Sequence, residues 1–214
     1  MVQQYKLYYF DCADIRFKDF EEWEKTYKPK FFYGKAPVLE VNGKPLAQSA
    51  TILRYLAEKF DLAGKDKWEK AKANEIIDFQ KDANTELMPY LMVKFGRREG
   101  DLDKLRGEVF EPMAKRVFPL FVKLLKESGS GYMLKSGLSM VDFQVANFLY
   151  TFTMLEPDTI NAFPELIKYV DRCPCSAPTS EVFEAAPAGP LISDQKQSIL
   201  RMRKSIIENY PIRF

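Results

Sequence analysis

The chain has 214 residues, 46% of them hydrophobic and 29% charged, and its formal net charge is +2. This hydrophobic content excludes an intrinsically disordered protein, and a chain of this length can bury a core without disulfide staples. Basic and acidic residues nearly balance, so we expect no charge-driven binding to nucleic acid.

Histidine is absent from the chain, which excludes Ser-His and Cys-His mechanisms and removes the commonest metal ligand. The odd cysteine count (Cys12, Cys173 and Cys175) and the Cys-Pro-Cys spacing do not fit a zinc site, so we expect no metal. Neither a secretory leader nor an apolar run of membrane length is visible in the sequence. We therefore expect a cytoplasmic protein that does not bind membranes.

The first sixty residues contain stretches that differ in their pattern of apolar and charged residues. The aromatic stretch YKLYYF (5–10) precedes a charged stretch at 19–30. Asn42-Gly43 then stands between two short apolar runs and predicts a hairpin, because both residues tolerate positive φ. Apolar residues at helical spacing follow, so we expect a helix that Ser49 caps and that runs to about Phe60.

After residues 61–64 the apolar pattern is helical almost throughout, and we place a domain boundary there, giving domains 1–63 and 64–214. Two long amphipathic helices are predicted at 66–94, with Trp68 on the apolar face, and at 103–127, packed as antiparallel neighbours. Further helices are expected between the capping sequence at 139–142 and Pro157, and at 163–171. An unusual proline-rich insertion at about 173–198 should be irregular, and a basic amphipathic segment after it should pack on the helical domain.

Four stretches resemble the cytosolic glutathione transferases: YKLYYF, FFYGKAPVLEVNGKPLAQSATILRYLAEKFDLAGK (31–65), IIDFQKDAN (76–84) and GLSMVDF (137–143). Within that family they are most similar to the sigma class, including its nematode members and the glutathione-dependent prostaglandin D synthases. The resemblance implies an α/β domain of thioredoxin-like fold followed by an all-α domain. It also implies a homodimer that binds glutathione as co-substrate.

The chain departs from the family pattern at its start. Four residues, 11–14, separate Phe10 from Ile15, whereas a parallel crossover with its helix needs about 10–12 residues. We therefore expect the first helix of the thioredoxin-like domain to be missing.

The chemistry that the resemblance implies needs an anionic glutathione thiol. A thiol of pKa about 8.5 is about 3% ionised at pH 7, and lowering the pKa by two units takes about 2.7 kcal/mol. One hydroxyl aimed at the sulfur can supply most of this shift, since a hydrogen bond to a charged group contributes about 1.5–3 kcal/mol. Matching the family's tyrosine at the end of the first strand makes Tyr9 the candidate catalytic residue. Tyr8 must point to the opposite face of the sheet.

The resemblance assigns the other glutathione contacts by position. Ala36 and Pro37 match the cis-proline that pairs with the cysteinyl part, and Gln48 with Ser49 would receive the γ-glutamyl carboxylate at a helix N-terminus. The glycyl end would meet three further candidates, Trp23, Lys28 and Lys35. Asp82 would reach the γ-glutamyl ammonium across the dimer. By residue type alone, a trans proline, a helix cap and solvated charges explain the same positions.

Two functions are open at this point. The first is an enzyme that conjugates reduced glutathione to small hydrophobic electrophiles, a detoxification reaction, with prostaglandin isomerase or peroxidase activity as further options. The second is a catalytically impaired, crystallin-like binding or structural protein on the same fold, which the missing first helix favours.

Overall fold

A computed structural model describes the backbone of residues 4–10, 15–17 and 20–173 and the side chains of residues 4–7 and 21–173. The described chain divides between Leu62 and Ala63 into two compact units. The expected insertion and basic terminal segment, from residue 174 onward, lie outside the described residues, as does Cys12.

Four strands within the described residues form one sheet in the first unit. They are β1 (Tyr5–Phe10), β2 (Ile15–Phe17), β3 (Val38–Val41) and β4 (Lys44–Ala47), in the order β2-β1-β3-β4. The β1–β2 pair is parallel and the other two pairs are antiparallel. Val38 and Leu39 point to opposite faces of β3, and both are nearly inaccessible at 2% and 4% exposure. The sheet is therefore covered on both sides at β3.

The parallel pair at the start of the chain forms although only residues 11–14 separate its strands. Its register sets Ile15 beside Tyr8 and Phe17 beside Phe10. Between Phe10 and Ile15 the chain has to go back by two residues along β1 and cross one strand spacing. The distance between these two Cα atoms is then about 8 Å, which five Cα steps can span. The parallel pair forms although its connection has only four residues, an outcome that the minimum crossover length did not predict.

The predicted hairpin between β3 and β4 is confirmed. Its turn has positive φ at both central residues, 50° at Asn42 and 80° at Gly43, the geometry that Asn-Gly favours in two-residue hairpins. The Asn42 side-chain oxygen also accepts a hydrogen bond from Gln4 N at 2.8 Å. This bond ties the turn to the start of β1.

The helices of the first unit flank the hairpin in sequence. The charged stretch before it is helical: α1 (Phe20–Glu22) continues as a π-helical turn (Trp23–Tyr27) and a 3₁₀ turn (Lys28–Lys30). After the hairpin, α2 (Ser49–Lys59) buries Ile52 and Ala57 and contacts β3 and β4.

The second unit is helical throughout its described length. Its helices are α3 (Lys67–Lys94), α4 (Leu102–Leu105), α5 (Glu111–Ser128), α6 (Met140–Leu155), α7 (Pro157–Ile160) and α8 (Pro164–Arg172), with a π-helical turn (Arg106–Phe110) between α4 and α5. None of these described helices is long and apolar enough to cross a bilayer.

The core of this unit is built from aromatic and branched side chains of α3, α5 and α6 and of the π-helical turn before α5. The largest fully buried ones include Tyr90, Phe110, Phe118, Phe121 and Phe152. Trp68, which the spacing placed on the same apolar face, is instead 76% exposed. Trp68 lies in the first turn of α3. Because its side chain is exposed, the prediction that it faces the core was wrong.

The predicted capping sequence at the start of α6 forms a capping box between Ser139 and Asp142. Asp142 is fully buried. Its carboxylate accepts hydrogen bonds from Met133 N at 2.9 Å, Ser139 N at 2.8 Å and the Tyr169 hydroxyl at 3.0 Å. One buried acid thus joins α6, α8 and the loop before α6.

A second buried acid, Glu156, lies between α6 and α7 and accepts bonds from two other parts of the unit. Its carboxylate accepts from Lys94 Nζ at 3.1 Å, from Arg106 Nε at 2.8 Å and from the Tyr90 hydroxyl. Burial alone would raise the pKa of Glu156, but these three donors lower it below its usual value. Burial and the bond to Glu156 raise the pKa of Tyr90.

Glu156→Gln tests this buried charge. Because the folded-state pKa is lowered, the carboxylate stabilises the fold above its unfolded pKa of about 4.3, and the stabilisation is lost as pH falls through the folded value. We expect the variant to lose about 1.5–3 kcal/mol of unfolding free energy at pH 7. Its deficit relative to wild type should shrink below about pH 4.

Urea unfolding followed by circular dichroism between pH 3 and 8 measures both effects. The control is Glu75→Gln, which removes an exposed partner of Lys72 on α3 and should change stability by less than about 0.5 kcal/mol. A Glu156→Gln protein with wild-type stability at every pH would contradict the assignment.

Candidate functional site

The strand registers bring three of the candidate positions into one row. Tyr8 pairs with Val38 across β1 and β3, and Val38 pairs with Ala47 across β3 and β4. Tyr9, Pro37 and Gln48 are the chain neighbours of these three paired residues, and we refer to the three together as the row. One end of the sheet therefore contains the end of β1, the start of β3 and the end of β4. Helix α2 also begins at this end.

Tyr9 contributes the first position of this row. Its backbone is part of β1 and pairs with Arg16 of β2 on the side away from β3. Its side chain lies outside the described part of the structure. The direction of its hydroxyl therefore stays a prediction.

Ala36 and Pro37 occupy the middle of the row, directly before β3. The peptide bond between them is cis, as the sequence predicted. Both residues are half-buried, while the preceding Lys35 is exposed. The row is therefore open to solvent on this side of the strand.

Gln48 and Ser49 form the third position and correct one expectation. Ser49 is not the N-cap: it is the first residue of α2, and Gln48 holds the cap position with φ 73° and ψ 114°. A cap needs an extended backbone before the helix, and Ser49 is already helical, so its hydroxyl cannot cap. Both side chains are exposed, and the first N–H groups of α2 have no intrahelical partner.

The three candidates for the glycyl end lie in different surroundings. Trp23 is 5% exposed and stacks on Phe31 with ring centroids 6.1 Å apart. Lys28 Nζ lies 2.7 and 2.8 Å from the two carboxylate oxygens of Glu24. Lys35 is exposed, and its ammonium has no carboxylate within 4 Å among the described residues. Of the two lysines, Lys35 is thus the one that is available to a ligand.

Glu24 is a partner that the sequence reading missed. It stands four residues before Lys28 on the same helical stretch, and this spacing is a known signal for an ion pair. The pairing competes with any carboxylate that approaches Lys28, so it lowers the expected contribution of Lys28 to ligand binding.

Asp82 lies in the second unit, on the exposed face of α3. The described structure is a single chain, so the contact expected across a dimer stays a prediction. Among the described side chains no group of three acids or cysteines is placed to hold a metal ion.

Comparison with known proteins gives consistent matches over both units. Residues 2–58 match the family model "Glutathione S-transferase, N-terminal domain", and residues 83–174 match "Glutathione S-transferase, C-terminal domain". "Probable glutathione S-transferase 7" of Caenorhabditis elegans is 39% identical over 170 residues, which cover 79% of this chain and 82% of that protein. Glutathione S-transferase 1 of Ascaris suum is 38% identical over 186 residues, covering 79% and 90%.

Solved structures give the same result for the fold. Monomeric Na-GST-3 from the hookworm Necator americanus is 36% identical with a TM-score of 0.77, covering 87% of this chain and 99% of that one. Prostaglandin synthase D of Nilaparvata lugens is 26% identical with a TM-score of 0.69, covering 86% and 98%. The expected architecture, a thioredoxin-like domain followed by an all-helical domain, is confirmed.

Two lysine substitutions test which cation meets the glycyl carboxylate of glutathione. Because Lys35 is exposed and unengaged, we expect Lys35→Gln to weaken glutathione binding about fivefold, the upper range for an exposed ion pair. Lys28→Gln should weaken it less than twofold, since Glu24 already neutralises Lys28.

Isothermal titration calorimetry at low salt provides the affinities. Lys44→Gln, an exposed lysine at the far end of β4, is the matched control and should bind glutathione as wild type does. A larger loss for Lys28→Gln than for Lys35→Gln would reverse the assignment.

Proposed function

The chain belongs to the glutathione S-transferase family, and we propose that it conjugates reduced glutathione to small hydrophobic electrophiles, with Tyr9 stabilising the thiolate. The observation that carries this proposal is that the end of β1, the start of β3 and the end of β4 lie together, with the cis Ala36-Pro37 bond and the start of α2 directly next to them in the chain.

Glutathione would bind with its cysteinyl part at Pro37 and its γ-glutamyl part at Gln48. The sulfur then points toward the end of β1, where the Tyr9 hydroxyl donates a hydrogen bond to it. This bond favours the charged sulfur and lowers its pKa. The mechanism needs no histidine and no metal, which suits a chain without histidine.

The γ-glutamyl end would lie at Gln48 and Ser49. The N–H groups and the partial positive charge at the start of α2 attract its carboxylate. Gln48 supports this assignment because a non-glycine residue at φ 73° is uncommon, and such backbone outliers cluster at ligand sites. At the other end of the tripeptide, Lys35 would meet the glycyl carboxylate.

The ammonium of the γ-glutamyl part would meet Asp82 of the partner subunit in a homodimer. The exposed position of Asp82 on α3 leaves it accessible to a second chain. The Necator americanus relative Na-GST-3 is described as monomeric, so the oligomeric state of this chain decides whether Asp82 takes part. Sedimentation velocity in the presence of glutathione measures that state directly.

The electrophile would lie against the helical unit. Three apolar side chains share one exposed face in the C-terminal half of α3 and its C-cap: Met88, Met92 and the C-cap Phe95, which are 40%, 37% and 48% exposed. Their spacing of four and three residues sets them one above another. Methionine adapts to irregular apolar shapes, which suits a surface that accepts varied small electrophiles.

We place the chain in the sigma class of the family, in a cytoplasmic detoxification role. The YKLYYF and 31–65 stretches support the class, and the prostaglandin synthase D of Nilaparvata lugens is among the structural relatives. Prostaglandin isomerase and peroxidase reactions are further activities that a glutathione thiolate at this site could perform.

The second candidate function is a binding or structural protein that has lost catalysis. It is favoured by one feature, the four residues that stand in place of the crossover helix between β1 and β2. Retention on immobilised glutathione without turnover of any electrophile would support this alternative against the enzyme.

Tyr9→Phe tests the catalytic hydroxyl. If the hydroxyl lowers the thiol pKa from about 8.5 to about 6.5, the variant should lose about 25-fold in conjugation rate with a chlorinated dinitrobenzene at pH 7. The loss should shrink above pH 8.5, where the thiol ionises without help. Glutathione affinity at pH 7 should fall only about fourfold, because binding is linked to the thiol ionisation that the hydroxyl favours.

Tyr8→Phe is the matched control, since neighbouring residues of a strand alternate between the two faces of the sheet. It should retain the wild-type pH profile. A Tyr9→Phe protein with the wild-type rate at pH 7 would eliminate the proposed role of Tyr9.

A further inference from the structure

Two accessible methionines lie close together in the C-terminal half of α3, and we propose that peroxides oxidise both to sulfoxides and thereby weaken binding of the electrophile. Met88 and Met92 are 40% and 37% exposed. Residues four apart in a helix lie on one face, with Cβ atoms about 5–6 Å apart. The effect on the electrophile rests on the proposed function, whereas the oxidation itself does not.

Accessibility divides the methionines of the chain into two groups. Within the described side chains, Met154 on α6 is also accessible, at 53% exposure. Three others are 0%, 3% and 3% exposed: Met113, Met133 and Met140. A close-packed core excludes a dissolved oxidant. The three accessible methionines should therefore react well before the three buried ones.

The oxidation needs only the thioether and the peroxide. A sulfur lone pair attacks one peroxide oxygen, so that an S–O bond forms and the O–O bond breaks. The proton of the transferred oxygen moves to the departing oxygen, which leaves as water from hydrogen peroxide or as an alcohol from an organic hydroperoxide. The sulfur loses two electrons and the peroxide gains them, and the product is methionine sulfoxide.

The fold should tolerate this change, because a different face of α3 carries the core contacts. Leu87 and Tyr90 are fully buried, whereas the oxygen added to Met88 or Met92 can be hydrated. The helix end beside Met92 is held by backbone bonds, since Met92 O accepts from Arg97 N at 2.8 Å. Oxidation of the two sulfurs breaks none of these contacts.

The oxidised side chains would alter the surface on which we place the electrophile. A sulfoxide turns a flexible apolar side chain into a polar one, and Met88 and Met92 form this surface together with Phe95. We expect the oxidised surface to bind a dinitrobenzene about tenfold more weakly, the lower end of what one apolar contact contributes to specificity. None of the residues proposed to bind glutathione is a methionine, so glutathione affinity should not change.

The first measurement locates the oxidised residues. The full chain is treated with increasing hydrogen peroxide, and its peptides are analysed by mass spectrometry. Dithiothreitol then reduces cysteine disulfides and sulfenic acids and leaves the sulfoxides in place. We expect an unchanged circular dichroism spectrum, with sulfoxide at three positions only among the described side chains: Met88, Met92 and Met154.

The second measurement determines the affinity of the surface without requiring turnover. 1,3-Dinitrobenzene has no leaving group and cannot be conjugated, and ¹³C-methyl methionine signals follow its binding. We expect saturable shifts at Met88 and Met92, and an affinity about tenfold lower after oxidation. Methionine sulfoxide reductases A and B together should restore the original affinity, because each enzyme reduces one epimer.

Two variants connect the effect to these residues. Met88→Leu/Met92→Leu conserves side-chain volume and cannot form a sulfoxide. Its affinity for dinitrobenzene, followed by calorimetry, should be near that of wild type and unaffected by peroxide. Met154→Leu is the matched control, because it removes an accessible methionine outside this surface, and it should stay as sensitive to peroxide as wild type.

Four results would overturn the proposal: no saturable binding of dinitrobenzene before oxidation, Met88 and Met92 still reduced when Met154 is fully oxidised, unchanged affinity after oxidation, or a Met88→Leu/Met92→Leu protein as sensitive as wild type. All four are measured without glutathione. A chain that passes these tests and does not conjugate glutathione would refute the proposed enzyme and leave the oxidation site standing.

Discussion

The backbone hydrogen bonds of β3 hold the sheet of the first unit together from both sides. This four-residue strand pairs with β1 on one edge and with β4 on the other. Its registers align Tyr8, Val38 and Ala47, the chain neighbours of Tyr9, Pro37 and Gln48. A slip of one residue on either edge would turn every side chain of the slipped strand to the other face. The turn at Asn42-Gly43 and the bond from Gln4 N to Asn42 restrain the strands against such a slip.

This arrangement keeps the candidate positions together although only four residues connect β1 to β2. In a βαβ unit the crossover helix connects β1 to β2, but the row is formed by β1, β3 and β4. The second strand pairs with the outer edge of β1 and contributes none of the three positions. The candidate residues of the site therefore depend on the hairpin and the start of α2, and the connection between β1 and β2 contributes none of them.

The sequence predicted the features that have local causes. The hairpin follows from Asn-Gly, and the start of α6 follows from the Ser139 capping sequence. It did not predict features that arise from contacts across the chain. The donors to Glu156 come from 50 to 66 residues away, and a lone glutamate before a proline gives no sign of them. Trp68 has the spacing of a core residue, but periodicity alone cannot show that its side chain is 76% exposed.

The central claim is that the row at the sheet edge binds glutathione although the crossover helix is missing. Calorimetric titration of the full chain with reduced glutathione tests it most directly, since no electrophile has to be chosen. We expect saturable binding of one glutathione per chain with a Kd between about 1 µM and 1 mM, the usual range for enzyme substrates. A folded protein that shows no saturable heat with glutathione would contradict this claim.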